Sequence, residues 1–382
     1  MTKRRPPPMA LPFLASFLSG CSHVAYLYQA GMGQWAIYNH ERAVAEVVSD
    51  PHVSSVTRQR LAWIPEIRAF VERELGVKST SNYTTYVDLK RPFVVWSLTS
   101  AEPYELKLKE WSFPIVGSFP YLGFFKENTA RDWEARERLL GRDTHVRGVT
   151  AYSTIGYLRD PLLSTMLTSK KTDLVNLLFH ETTHSQVYIK GEGAFNEQIA
   201  SFIGDYGERL WIRKKMCASS PCPELENWND EHADRRLFGA RLRAFADRLK
   251  KLYADTASEP EEGRRERKAA AFAAFREEMA DPRRTEWKSS GWKKWIAGKF
   301  AAEFMNNAAL LAHLTYEDHQ DLFEKLYRKA GGSLDDSVNT EGSLAGSLLI
   351  LKRFSGKLDH LRSRVEERSL SPQILLDRFL TE

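Results

Sequence analysis

Apolar residues recur along the chain at two different spacings, and the switches between them divide it into segments. Between residues 22 and 78 the spacing is three and four, so residues 43–48 and 56–75 read as helices. Gly76 supplies a stop, and Pro51 and Pro65 limit these helices, Pro65 as a candidate kink. From 79 to 126 the pattern shortens. Residues 82–88 and 93–98 are rich in β-branched and aromatic side chains, and residues 104–109 alternate apolar with polar. These predict strands of a small antiparallel sheet. Residues 111–125 follow with Pro and Gly punctuation, then a helix over 129–140 that Gly141 ends, then an extended stretch over 146–157.

Helical spacing returns at Thr172. Thr172 suits an N-cap, and Asp173 places a negative charge in the first turn, where the helix dipole favours it. This helix runs to about Tyr188 and is stopped by Gly191 and Gly193; a second covers 194 to about 215. A charged, coiled-coil-like hairpin comes next, with arms over 231–254 and 264–280 and a turn over 258–263. Its charged faces read as solvated helix surface. A helix around 295–314 and an alternation of helix and turn complete the chain.

Composition narrows the class. The chain has 382 residues, 42% hydrophobic and 27% charged, enough for one or two domains with a sizeable core. The mean hydropathy of −0.44 excludes a polytopic membrane protein. Net charge is +5, of which Lys3, Arg4 and Arg5 supply three, leaving 5 − 3 = +2 on the rest. So small and scattered a charge argues against nucleic acid as a partner.

Those three basic residues begin what reads as an export signal. Residues 9–18 form a short apolar stretch, broken by Pro12 and too short to span a bilayer as an ordinary helix. Leu18-Ser19-Gly20-Cys21 then resembles the bacterial lipobox, in which the Cys is acylated and becomes the new N-terminus. The competing reading is an uncleaved apolar arm with an incidental Cys. A diacylated or triacylated Cys21 anchors stably, because it carries more than one chain. The resemblance implies an exported protein, lipid-anchored in the cell envelope and facing the periplasm; Ser22 after the Cys implies the outer membrane. In such an oxidising compartment Cys217 and Cys222, the other two cysteines, could pair.

The chemistry centres on His180-Glu181-Thr182-Thr183-His184. On a helix, positions i and i+4 share a face one turn apart, so two imidazoles there can bind one tetrahedral zinc ion. Glu181 sits about 100° around the helix from His180, able to flank the ion and activate a water without ligating. A glycine-bearing turn, Gly191-Glu192-Gly193, then reverses the chain, and Glu197 opens the next helix thirteen positions after His184. Two packed antiparallel helices would bring Glu197 opposite the histidines and complete a His₂Glu set with a position left over. Asn196-Glu197-x-x-Ala200 resembles the third-ligand motif of gluzincin peptidases, several of which use a longer spacer, so the link here must be tight. The plainer alternative is a helix whose histidines face solvent or satisfy core hydrogen bonds. Candidates for supporting roles are Asp205 as partner of a ligand imidazole, against an ordinary surface acid; Tyr152 as oxyanion donor with His145 behind it, against a structural tyrosine; and Glu192 as the acid that holds a substrate ammonium.

These motifs also carry a resemblance to a family: zinc aminopeptidases of proteobacteria with an HExxH motif. It spans nearly the whole mature chain. It includes the lipobox with Tyr26-Leu-Tyr-Gln29 and Gly33-Gln34, Phe113-Pro-Ile-Val-Gly117 with Pro120-Tyr121 and Gly123-Phe124-Phe125, Ala151-Tyr-Ser-Thr-Ile-Gly156, Asp160-Pro-Leu-Leu163, Leu178-Phe-His-Glu-Thr-Thr-His184 with Phe195-Asn-Glu197, and Asn306-Asn-Ala308. Family members often have apolar or small residues between the histidines, and two threonines are compatible with that. The resemblance implies a secreted or anchored zinc hydrolase acting on peptides.

The expected fold class is α+β, predominantly α-helical, with a zincin-like catalytic core, a small antiparallel sheet and a long helical hairpin. The expected segments are a signal peptide (1–20), an N-terminal helical segment (21–78), the catalytic core (79–225), the charged hairpin (226–285) and a C-terminal helical region completing the core (286–382). The rival reading is a non-hydrolytic envelope lipoprotein with a structural metal site, acting in binding or assembly. A third is an amidase acting on cell-wall peptides.

Overall fold

A computed structural model of the chain describes residues 26–78, 81–113, 117–151, 154, 158–167, 170–189, 191–218, 221–281, 283, 286–302, 305–317, 320–333, 342–363 and 370–381. The class is as expected: α+β, mostly helical, with small sheets. A helix over 26–38 (α1) leads into β1 (Arg42–Ala43), α2 (Val44–Ser49), α3 (Ser55–Leu61) and α4 (Ile64–Leu75). The expected helix over 56–75 is therefore two. Pro65 does not kink a continuous helix but sits in the first turn of α4, where its missing N–H costs nothing. Gly76 ends α4 at φ 63°, a left-handed conformation that glycine adopts without steric cost.

Among the described residues, three sheets replace the single one expected. In the first, β2 (Thr85–Val87) pairs antiparallel with β1 and parallel with β8 (Leu162–Leu163). In the second, β3 (Val95–Ala101) lies between β6 (Tyr121–Phe124) and β7 (Asp143–Val149), antiparallel to both. The third is the hairpin of β4 (Trp111–Phe113) and β5 (Gly117–Phe119). The alternating segment 104–109 is not a strand and keeps only the bridge Ala101 to Leu108. Both flanks of β3 are already paired, and Tyr104 is drawn elsewhere, its ring meeting Tyr253 edge-on at 6.1 Å and lying 4.0 Å beneath the Arg264 guanidinium. Helix α5 (Glu127–Leu139) backs β3 and β7.

The remainder is helical: α6 (Lys171–Gln186), α7 (Gly193–Lys215), α8 (Pro223–Asp255), α9 (Glu261–Ala280), α10 (Ser290–Trp295), α11 (Asn307–Glu317), α12 (Gln320–Lys329), α13 (Ser343–Ser363) and α14 (Pro372–Thr381). A disulfide joins Cys217 to Cys222 across the α7–α8 turn. The charged hairpin, α8 and α9, packs on an apolar seam that it shares with Trp287, Phe300 and Leu310, with Phe245 stacked on Phe275 at 4.1 Å. The helix expected over 295–314 is interrupted before α11. There Asn306 Oδ1 accepts the Ala309 N–H at 3.0 Å while its Nδ2 donates to the Thr144 carbonyl at 3.0 Å. Paired asparagines tie the start of α11 to β7 instead of continuing a helix. The main core lies around α6 and α7: Phe70 of α4, Phe179 of α6, Phe195 and Phe202 of α7, Phe323 of α12 and Phe354 of α13 are all fully buried.

Candidate metal centre

The site depends on how closely α6 and α7 approach. Gly204 and Gly207 of α7 face α6 without side chains, and a Cβ at Gly204 would lie 2.8 Å from Asn176 Oδ1. The link between the helices is pinned by Asn196. Its Oδ1 accepts the Ile189 N–H at 2.9 Å and its Nδ2 donates to the Ile189 carbonyl at 2.8 Å. One amide thus satisfies both backbone groups of a buried link residue. The helix bounds differ from expectation in detail: Lys170 rather than Thr172 holds the N-cap position, and α6 ends at Gln186, before the glycines.

On α6 the one-turn spacing sets the rings of His180 and His184 4.9 Å apart at 79°, with their Nε2 atoms 3.2 Å from each other. Glu197 Oε2, from the first turns of α7, lies 3.5 Å from His180 Nε2 and 3.8 Å from His184 Nε2. The three donor atoms fall within 4.8 Å of one another. Two ligand nitrogens at tetrahedral zinc distances stand about 3.3 Å apart, so the donor set fits such an ion in both chemistry and spacing. The three side chains keep 17%, 11% and 13% of their surface exposed, an edge through which an ion can enter.

The charges around these donors are uneven. Burial holds the His184 imidazole down at about 4 and so keeps it neutral, the form that ligates. Burial also opposes protonation of His180, but Glu197 and Glu181 outweigh it and hold its pKa up. Burial likewise opposes ionisation of Glu197, yet the two imidazoles and Arg147 hold its pKa below the usual range. Glu181 is 5% exposed, and burial pushes its pKa up to about 7, with the charges of Glu197 and Asp160 adding to the rise and His180 opposing it. Its Oε2 is buried with no hydrogen-bond partner among the described residues. Tyr83 shares this condition: its hydroxyl is buried and has no partner among the described residues, and burial and the Glu181 charge raise its pKa. Its backbone sits at φ 60°, which is strained for a tyrosine, while its N–H donates to the Asp160 carbonyl at 2.7 Å.

A cavity of about 190 Å³ opens over the three donors, walled by Arg147 and Val149 of β7, Tyr121 of β6, Tyr188 of the link and Asn196 of α7. Of the residues expected from sequence, His180, Glu181, His184 and Glu197 meet here. Tyr152 and Cys21 lie outside the described residues. His145 is on β7 opposite Thr99, and neither it nor Glu192 lines the cavity. Asp205 is engaged elsewhere: it accepts from Arg235 Nη1 at 2.7 and 2.8 Å and from Asn176 Nδ2 at 2.9 Å, with no hydrogen bond to His180 or His184. Arg147 was within reach of sequence reasoning, since strand alternation puts it on one face with Val149. Tyr83 left no such signal.

Searches of curated proteins and of solved structures find no match to this chain. A family model described as "Putative aminopeptidase" matches residues 25–347. That span holds α6, α7 and every residue of the cavity, and it covers most of the chain, which therefore belongs to this aminopeptidase family.

Proposed function

We propose that the chain is a zinc-dependent peptidase of the aminopeptidase type, in which His180, His184 and Glu197 would hold the ion and Glu181 moves the proton. One observation carries this reading: three donor atoms within 4.8 Å of one another, beside a buried carboxylate oxygen that has no partner among the described residues. A zinc ion held there would supply Lewis acidity, acidifying a water and polarising a peptide carbonyl. The residues of the chain do the rest. Glu181, whose carboxylate lines the same cavity as the three donors, is suited both to take a proton from water and to return it to the departing amine. The walls of the cavity, Tyr121, Tyr188, Val149 and Arg147, are the surfaces a peptide would meet. No fourth donor joins the three among the described residues, which favours a hydrolytic arrangement over a closed structural site.

The proposal includes location. Cys21, acylated, would tether the protein to the envelope membrane; no described helix is long and apolar enough to cross one. The test is to load the protein with zinc and incubate it with a mixed peptide library, half with blocked N-termini, read by mass spectrometry. One equivalent of bound zinc and release of N-terminal residues from unblocked peptides alone are expected. Bound zinc with no cleavage of any peptide would return the site to a structural role.

A further inference from the structure

We infer that the outward face of α1 rests on a phospholipid bilayer, with Leu27, Tyr28, Met32 and Trp35 at the level of the headgroups. For its occupant this inference rests on the acylation of Cys21 proposed above; for its surface it rests on α1 itself. One side of α1 is committed to the protein. Tyr26 packs on Phe113 at 5.2 Å and on Phe124 at 5.5 Å. Gln29 donates to the Gly123 carbonyl and accepts from the Phe125 N–H. Gly33 lies against the Phe125 ring, where a Cβ would come within 2.1 Å. The other side carries Leu27, Tyr28, Met32 and Trp35, exposed at 48%, 69%, 45% and 59%.

Single exposed apolar residues are ordinary on a protein surface. Four on one helix are a different matter when the helix has no charge to solvate it. From residue 6 to residue 40 the sequence contains no Asp, Glu, Lys or Arg. A surface helix in water normally carries its charged residues on the face opposite the core; here that face has aromatic and aliphatic groups. Tyrosine and tryptophan favour the membrane–water boundary, where the ring is buried and the polar edge stays wet.

Two observations select a bilayer as the occupant. Residues 22–25 separate Cys21 from α1, and so short a link spans at most about 18 Å. An acyl chain in the membrane therefore holds α1 close to it. The second is charge. A cavity of about 610 Å³ beside Tyr28 and Met32 is bordered by Lys90, Arg91 and Lys126, against Asp88 as its acid. Asp88 pairs with Lys90 at 2.7 Å, and Arg91 donates to the Phe125 and Val94 carbonyls. Lys126 is exposed, and this cationic border suits lipid phosphates.

The experiment uses the full acylated protein in vesicles of phosphatidylethanolamine and phosphatidylglycerol, carrying an environment-sensitive fluorophore on W35C, with K250C on the exposed hairpin as control. The W35C label is expected to shift to the blue and to lose most of its emission to nitroxide-bearing lipids, while aqueous iodide quenches only the K250C label. Iodide quenching of W35C on vesicles that still carry the protein would overturn the docking and leave the anchor standing. Nitroxide quenching of W35C in protein whose Cys21 proves unacylated by mass spectrometry would support the docking and remove the anchor. Disulfide-linked dimers formed by unlabelled W35C protein under mild oxidation, with no lipid quenching of the labelled protein, would give the face to a second copy of the chain and overturn the inference.

Discussion

A Cβ on Gly207 would stand 2.4 Å from the ring of Phe179, which is itself fully buried on the facing helix. The contact has no room to relax, because Phe179 also meets Phe70 edge-on at 6.0 Å. Gly207→Ala must therefore either displace the ring or part α6 from α7. Overpacking of this kind costs about 1–3 kcal/mol. The variant should melt below the parent and bind zinc more weakly, because Glu197 rides on α7. An unchanged melting temperature by calorimetry would mean that the helices are less tightly apposed than described.

Asn196 makes a second prediction about the same geometry. Its amide satisfies both backbone groups of Ile189. Asn196→Ala would leave that N–H buried without its partner, at about 1–3 kcal/mol, and leave the carbonyl only the Glu192 N–H at 3.1 Å. The link over 187–192 should open, and limited proteolysis should cut it first. Asn196→Asp keeps the acceptor and loses the donor, so its effect should be intermediate. Equal protease resistance in all three proteins would deny Asn196 its pinning role.

In the proposed site, a change at Glu181 should separate binding from chemistry. Glu181→Gln leaves His180, His184 and Glu197 in place, so zinc content measured by mass spectrometry should stay at one equivalent. Turnover should fall by about 10²–10⁴, the usual contribution of a positioned general base. Removing a ligand should act differently: His184→Ala should lower zinc content itself, and added zinc should restore activity only in part. Full turnover in Glu181→Gln would assign the proton transfer to another group.

How much of this was legible in the sequence follows from how local each feature is. His180 and His184 need only one helix and one turn, so their spacing states their geometry. Glu197 needs two helices and a short link, and the motif around Asn196 together with the length of the link was enough to place it. Asp205 shows where this reasoning stops. Its two-turn spacing from Glu197 suggested a bond to a ligand imidazole, but Arg235 of α8 approaches from a segment that no spacing on α7 could foretell. Tyr83 was hidden for the same reason, since burial and the Glu181 charge reach it only through tertiary packing. The break between α3 and α4 escaped notice because the apolar pattern stays in phase across it. The parallel pairing of β2 with β8 escaped because strands of two or three residues are too short to show a period.

His232 provides a prediction about pH away from the candidate metal centre. It lies on α8, stacked on Trp228 at 4.2 Å and 3.9 Å from Asp205. Burial dominates its titration and brings its pKa down to about 4; the charges of Arg235, Arg236 and Arg209 act in the same direction, and Asp205 opposes them. In the unfolded chain the same imidazole titrates near about 6.5. The unfolded state therefore binds more protons between these two values, and stability falls as the pH is lowered through them. The contribution is fully present above about pH 6.5 and is lost as the pH falls to about 4, for a difference on the order of 3 kcal/mol. His232→Phe keeps a flat ring against Trp228 and removes the proton site. Urea unfolding followed from pH 7 to pH 4 should show a shallower loss of stability in this variant than in the parent. Parallel profiles would mean that another group, Asp205 foremost, sets the acid limit of the fold.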